Sequence, residues 1–210
     1  MLLWINGPFG GGKTQTAHEI QRRLPGSVIC DPEHAGFGLR RMLPPELRGD
    51  FQDLTAWRQG VVEVLDLALT KHEGVVIAPM TVTDSGYFEE TVGRLRELGH
   101  DVRHFTLLAQ RETVIKRLRE RGLGHLLAFV GGKNAGLGRE TWAVRQLDHC
   151  LERLREPQFA EHLWTDRSTV PKTADRIAVL AGLTLRPNNE GALRTRLRQA
   201  GVGVRHIRFD

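Results

Sequence analysis

The 210 residues are 40% apolar and 26% charged, which gives room for one α/β domain with a sizeable core and excludes a disordered or fibrous chain. No apolar run is long enough to span a bilayer, the N-terminus lacks a basic region backed by a long apolar stretch, and two cysteines, Cys30 and Cys150, are too few for a disulfide framework or a zinc site; a cytoplasmic location is expected. A net charge of +5 admits a nucleic-acid partner, but small anionic ligands and solvated helix faces account for the arginines, so no stable nucleic-acid complex is expected.

The first segment, Leu2–Asn6, opens with the apolar run Leu2-Leu3-Trp4-Ile5 and reads as a buried parallel strand. It leads into Gly7-Pro8-Phe9-Gly10-Gly11-Gly12-Lys13-Thr14, the Walker A pattern G-x-x-x-x-G-K-T. In that pattern the glycines let the backbone wrap a phosphate with successive N–H groups pointing inward. Lys13 brings a positive charge to the β/γ-phosphates and the Thr14 hydroxyl holds Mg²⁺. A helix is expected over Lys13–Leu24, with Ala17, Ile20 and Leu24 at helical spacing and Pro25-Gly26 as its stop. Its dipole directs a positive end at the anion. Strand, glycine loop and helix stand in the order the chemistry needs. Gly7, Phe9, Gly10, Gly11, Gly12, Lys13, Thr14 and Gln15 are therefore the expected nucleotide site, with ATP and Mg²⁺ as cofactors and Thr14 as metal ligand.

Further strands are expected at Ser27–Asp31, Gly74–Met80, Val102–Ala109 and His162–Thr165, and helices at Glu33–Met42, Asp53–His72, Tyr87–Leu98, Arg111–Arg121, Glu140–Glu156 and Lys172–Ala181. Strand and helix alternate, which argues for an α/β fold with a three-layer, parallel five-stranded sheet and right-handed crossovers. Gly122 to Gly138 holds six glycines, at 122, 124, 131, 132, 136 and 138, together with Lys133 and Asn134. It reads as a lid over the nucleotide, about 122–140, with an ordinary flexible loop as the plainer alternative. The kinase-like domain is placed at 1–183 and a basic C-terminal extension at 184–210, expected to pack on the domain or to meet a partner.

Phosphoryl transfer also needs a group to orient the acceptor and charge to neutralise the transferred phosphoryl. Asp31 ends the second strand, where open α/β sheets bind ligands, and its carboxylate can take the proton of an attacking hydroxyl. An aspartate before Pro32 is equally a helix cap, and the two roles are compatible. Arg117 and Arg121, four apart, share a helix face and suit a base and a phosphate, whereas Arg119 points elsewhere. Arg139 and Arg145 follow the lid and are placed to close with it. No acid ends the third strand at Val75-Val76-Ile77-Ala78-Pro79-Met80-Thr81, and Asp84 comes four residues after Met80. That argues against a motor ATPase and for a small-molecule kinase. Phe37, Arg40, Trp57, Arg58 and Thr81 complete the expected acceptor-binding set with Asp31; for the aromatic and arginine members helix packing is the competing role.

These segments together resemble the bacterial tunicamycin resistance proteins, ATP-binding members of the nucleotide-kinase-like Walker A superfamily. The likeness is carried by Trp4-Ile5-Asn6-Gly7 running into Gly10-Gly11-Gly12-Lys13-Thr14-Gln15-Thr16-Ala17, by Asp31-Pro32-Glu33 with Gly36-Phe37, and by Asp50-Phe51-Gln52 with Trp57-Arg58. It continues through Pro79-Met80-Thr81, Tyr87-Phe88, His104-Phe105-Thr106-Leu107, Arg117-Leu118-Arg119, Gln146-Leu147-Asp148 and His206-Ile207-Arg208. The resemblance implies an adenylate-kinase-like P-loop fold with a lid and protection against a uracil-bearing nucleoside antibiotic. Among more distant antibiotic phosphotransferases it implies an acceptor-activating aspartate at the place of Asp31. The stretch Gly122 to Gly138 is longer and richer in glycine than the family pattern.

The expected activity is ATP-dependent phosphorylation of a hydroxyl on a nucleoside- or sugar-containing antibiotic, by a monomer or homodimer. Two rivals are an ATP-binding protein that sequesters the drug without chemistry and a polynucleotide 5′-hydroxyl kinase.

Overall fold

The computed structural model describes residues 1–120 and 138–189. Five parallel strands form one sheet: β1 (Leu2–Asn6), β2 (Val28–Ile29), β3 (Val76–Pro79), β4 (Val102–Leu108) and β5 (His162–Trp164), in the order β2-β3-β1-β4-β5. The central strand, β1, is buried on both faces, as its unbroken apolar run requires. Side chains alternate across a strand, so Leu2 and Trp4 enter one core while Leu3 and Ile5 enter the other.

Helices close each core. The Leu2/Trp4 side is covered by α3 (Thr55–Lys71) and by the segment α4 (Ser85–Phe88), a π turn (Glu89–Gly93) and α5 (Arg94–Glu97). Trp57, Val61, Leu65, Phe88, Val92 and Leu95 fill it. The Leu3/Ile5 side is covered by α1 (Lys13–Arg23) and α8 (Val170–Leu180) through Ala17, Ile20, Ala174 and Ile177. Three layers result, as expected. A third cluster joins Val114 and Leu118 of α6 (Arg111–Glu120) to Leu147 and Leu151 of α7 (Gly138–Arg153), beyond the carboxyl end of β4.

The boundaries moved for local reasons. The helix expected at Tyr87 starts at Ser85, because the Asp84 carboxylate accepts the Tyr87 N–H at 2.9 Å as an N-cap. Its middle widens into the π turn, where the Thr91 hydroxyl donates to the Tyr87 carbonyl at 2.7 Å. The last helix starts at Val170, since Thr169 caps it and a proline is tolerated in the first turn. The strand expected at Ser27–Asp31 is reduced to Val28–Ile29, although the Cys30 N–H still reaches the Ile77 carbonyl at 2.9 Å.

The chain continues past α8 and returns to α1. Leu183 and Leu185 pack on the Leu3/Ile5 core, and the Arg186 N–H donates to the Arg23 carbonyl at 2.9 Å. Arg23 answers with a bond to the Arg186 carbonyl at 2.7 Å and an ion pair to Asp175 at 2.6 Å, while Arg22 donates to Asn188 at 2.8 Å. The start of the expected extension is thus part of the domain's packing. Residues 190–210 lie outside the described residues, and so does most of the expected lid. Among the described residues no helix is long and apolar enough to cross a membrane.

Candidate active site

The loop from Gly7 to Gly12 leaves the carboxyl end of the central strand and ends on the first turn of α1. Gly7 has φ +147°, and a Cβ there would lie 2.7 Å from the Leu107 carbonyl oxygen of β4, so backbone must pass backbone at that point. Gly12 has φ +97° with open space around it, and it caps α1 with no side-chain hydrogen bond. The first N–H groups of a helix have no partner within it, so this turn presents donors and a positive dipole end. Lys13 is 7% exposed; its ammonium donates to the Gly7 carbonyl at 3.0 Å and the Pro8 carbonyl at 3.2 Å, 5.5 Å from the centre of the Phe9 ring. Thr14 is half-buried and Gln15 buried beside it. A cradle that a Cβ would obstruct, a helix N-terminus, an ammonium and a hydroxyl form a donor set that fits a polyphosphate with its metal.

The cradle is braced from the next strand. Asn6, fully buried, accepts the Gly7 N–H at 2.8 Å and the Val82 N–H at 3.0 Å, and donates to the Val82 carbonyl at 2.8 Å. The Thr81 hydroxyl donates to the Gly7 carbonyl at 2.8 Å. Asn6 was not among the expected site residues; an amide side chain where an apolar strand meets the loop was the available signal.

On the β4–β5 side, Arg117 donates to the Thr165 hydroxyl at 3.0 Å and the Thr165 carbonyl at 2.7 Å, just past β5. Asp166 accepts the Gln110 N–H at 2.8 Å. Burial works to raise the Asp166 carboxyl, but its hydrogen bonds from Gln110 and Thr113 and the Arg117 charge outweigh that and hold it below the usual range. Arg117 thus sits between α6 and the exit of β5, at the carboxyl end of the sheet. Arg121 lies outside the described residues. Arg139 and Arg145 are carried on α7, with side chains likewise outside them. Farther along α7, burial pushes the Cys150 thiol up to about 11, although the Lys13 charge pulls it down. The thiol is therefore protonated beside the loop, which makes it a packing group.

The acceptor side differs from expectation. Asp31 stands at the start of α2 (Glu33–Met42), where its Oδ1 accepts the Glu33 N–H at 2.9 Å. The capping role is realised, and the second carboxylate oxygen has no partner among the described residues. Trp57 is fully buried and its indole N–H donates to the Pro32 carbonyl at 3.0 Å, so it packs α3 against the start of α2. Arg58 is likewise held by the packing of this flank. It is 8% exposed, 2.6 Å from Glu90, bonded to the Gln52 carbonyl, and stacked 4.4 Å over Tyr87. Thr81 turns its hydroxyl to the donor loop. Phe37 meets Phe51 edge-on at 5.7 Å, and Phe51 meets Trp57 at 5.5 Å. Arg40 lines a cavity of ≈ 150 Å³ with Leu43, Leu47, Asp50, Phe51 and Asp53. Burial raises the Asp50 carboxyl there, against the N–H bond from Gln52. Asp31 and Arg40 lie at opposite ends of α2, so about 13 Å of helix separates them at the usual rise.

Residues 2–125 match the AAA domain family. The tunicamycin resistance protein of Deinococcus radiodurans superposes with a TM-score of 0.71 at 32% identity, over 89% of this chain and 99% of that one. The chain belongs to the tunicamycin resistance protein family. A sugar kinase from Janibacter sp. (16% identity, TM-score 0.57, 87% of this chain and 95% of that one) and the APS kinase of Mycobacterium tuberculosis (13%, 0.54, 86% and 96%) share the fold. No curated protein sequence matches. The family and its kinase-like neighbours thus have the P-loop α/β fold that the strand order, glycine loop and three layers already define.

Proposed function

We propose that the protein is an ATP-dependent phosphotransferase that protects against a nucleoside antibiotic such as tunicamycin by phosphorylating one of its hydroxyls. The observation that carries this reading is the junction of β1 and α1, where Gly7 to Thr14 form a cradle suited to phosphate at the carboxyl end of the sheet; Asp31 follows β2, on the far side of β3. Bound Mg-ATP supplies the transferable phosphoryl group. Lys13 and the first turn of α1 neutralise and orient the phosphates, and the Thr14 hydroxyl is the metal ligand. Arg117 serves the nucleotide, with Arg121 and the arginines of α7 closing the donor side. Asp31 keeps its cap on Glu33 with one oxygen and uses the other to orient or deprotonate the acceptor hydroxyl. The Arg40 cavity, a helix length away from Asp31, suits the far end of an acceptor larger than one sugar.

Mass spectrometry of tunicamycin incubated with protein and Mg-ATP tests the proposal. A gain of one phosphate on the drug, lost in Lys13→Ala, is expected. Unchanged drug mass with tight drug binding would replace catalysis by sequestration. Transfer to an oligonucleotide 5′ end, with steep salt dependence, would replace it by end repair.

A further inference from the structure

The Gly7 carbonyl is a shared acceptor. It takes the Thr81 hydroxyl at 2.8 Å and the Lys13 ammonium at 3.0 Å, and Gly7 and Thr81 are both buried. The other carbonyl that Lys13 holds, that of Pro8, also has a second donor, the Gly11 N–H at 2.9 Å. We propose that Thr81 is a positioning residue of the donor loop, whose hydroxyl keeps the Gly7 carbonyl satisfied when Lys13 turns from it to a nucleotide phosphate. The inference rests on the reading of Lys13 as a phosphate ligand.

The physical reason is the asymmetry of buried polar groups. A buried carbonyl that loses its only donor forfeits a hydrogen bond with no water to replace it. If Lys13 were the sole donor to the Gly7 carbonyl, each transfer of the ammonium to phosphate would strand that oxygen, and the loss would subtract from nucleotide affinity. Both of these carbonyls retain a partner when Lys13 leaves them. For Pro8 that partner is backbone and survives any side-chain substitution, whereas for Gly7 it is the Thr81 side chain. Thr81 is held in place from its neighbour, because Asn6 clamps both the N–H and the carbonyl of Val82. The strand β3 thereby lends the loop one hydrogen bond that sets how readily its lysine departs.

Two measurements test this, one of which needs no nucleotide. Mg-ATP binding by calorimetry should weaken about tenfold in Thr81→Val and stay within about twofold of wild type in Thr81→Ser, which restores the hydroxyl. In the protein without nucleotide, Thr81→Val should lower the melting temperature more in a Lys13→Met background than in wild type, because only there does the Gly7 carbonyl lose both donors. Should Thr81→Val not fold, Thr81→Cys, with its weak donor, is expected to move both readouts in the same direction. Additive effects in the cycle overturn the proposal. So does wild-type affinity in Thr81→Val beside a Lys13→Met variant that no longer binds. Wild-type affinity in Lys13→Met would instead defeat the reading of Lys13 itself, and the proposal with it.

Discussion

The glycine loop and the α2 flank leave the same edge of the sheet, yet only the flank adds a run of side chains packed on one another. Around Gly7 to Lys13 the described polar contacts run to backbone: Gly7, Pro8 and Val82 carry the bonds to Lys13, Thr81 and Asn6. Around α2 side chains also meet one another, with Phe37, Phe51 and Trp57 in one run and Arg58 against Glu90 and Tyr87, beside the bonds of Trp57 and Arg58 to the Pro32 and Gln52 carbonyls. A backbone cradle recognises what all nucleoside triphosphates share. A flank held by side chains is free to change its ligand by substitution, because the scaffold beneath it does not depend on any one exposed residue.

The largest effect that would sharpen this contrast is at Asp31. Asparagine is as good a helix cap as aspartate, so Asp31→Asn should fold and bind Mg-ATP as wild type while its turnover falls by roughly 10²–10⁴. Full turnover in a phosphate-transfer assay would leave Asp31 as a cap alone. Next comes Trp57. If it belongs to the scaffold, Trp57→Ala should lose about 3–5 kcal/mol of stability in urea, with Trp57→Phe losing less and keeping the acceptor KM. A raised KM at unchanged stability would return it to the acceptor site.

A smaller effect lies under both regions. His104 on β4 is buried against Phe88, and burial lowers its pKa to about 4, aided by the Arg96 and His162 charges and opposed by its bond to the Ala160 carbonyl. The unfolded chain binds a proton near pH 6.5 and the native state does so only near 4. Stability is therefore complete above pH 6.5 and falls by up to ~3 kcal/mol as the pH drops to 4. Unfolding free energies across that range should show the slope, and His104→Gln should flatten it. The smallest effect is at Gly12, where alanine meets no atom and bears only the left-handed φ. Gly12→Ala should cost about 1–2 kcal/mol, and Gly7→Ala, which also meets the Leu107 carbonyl, more.

The donor half could be read from the chain because its chemistry is local. Strand, loop and helix are contiguous, and the residues of the loop are the residues that name the motif. Asn6 escaped because its role depends on Val82, 76 residues away. Trp57 and Arg58 were ambiguous for the opposite reason: an aromatic–arginine pair looks the same in sequence whether it faces a ligand or a neighbouring helix. Only their burial, and the Pro32 carbonyl and Glu90 carboxylate waiting for them, separates the two. The parallel sheet followed from alternation, while the helix starts at Ser85 and Val170 turned on the caps Asp84 and Thr169, which a periodicity argument passes over.

The return of the chain from α8 to Arg22 and Arg23 bears on the timing of assembly. The far end of the helix that begins at the glycine loop is tied to Asp175, Arg186 and Asn188, some of them more than 160 residues later. Its strand, β1, waits for both neighbours, β3 and β4. Contacts of such sequence separation form slowly, because loop closure must precede their reward. On the ribosome, the glycine loop is therefore made long before the contacts that anchor its helix, and a nascent chain halted before Arg186 would carry the loop without that anchor.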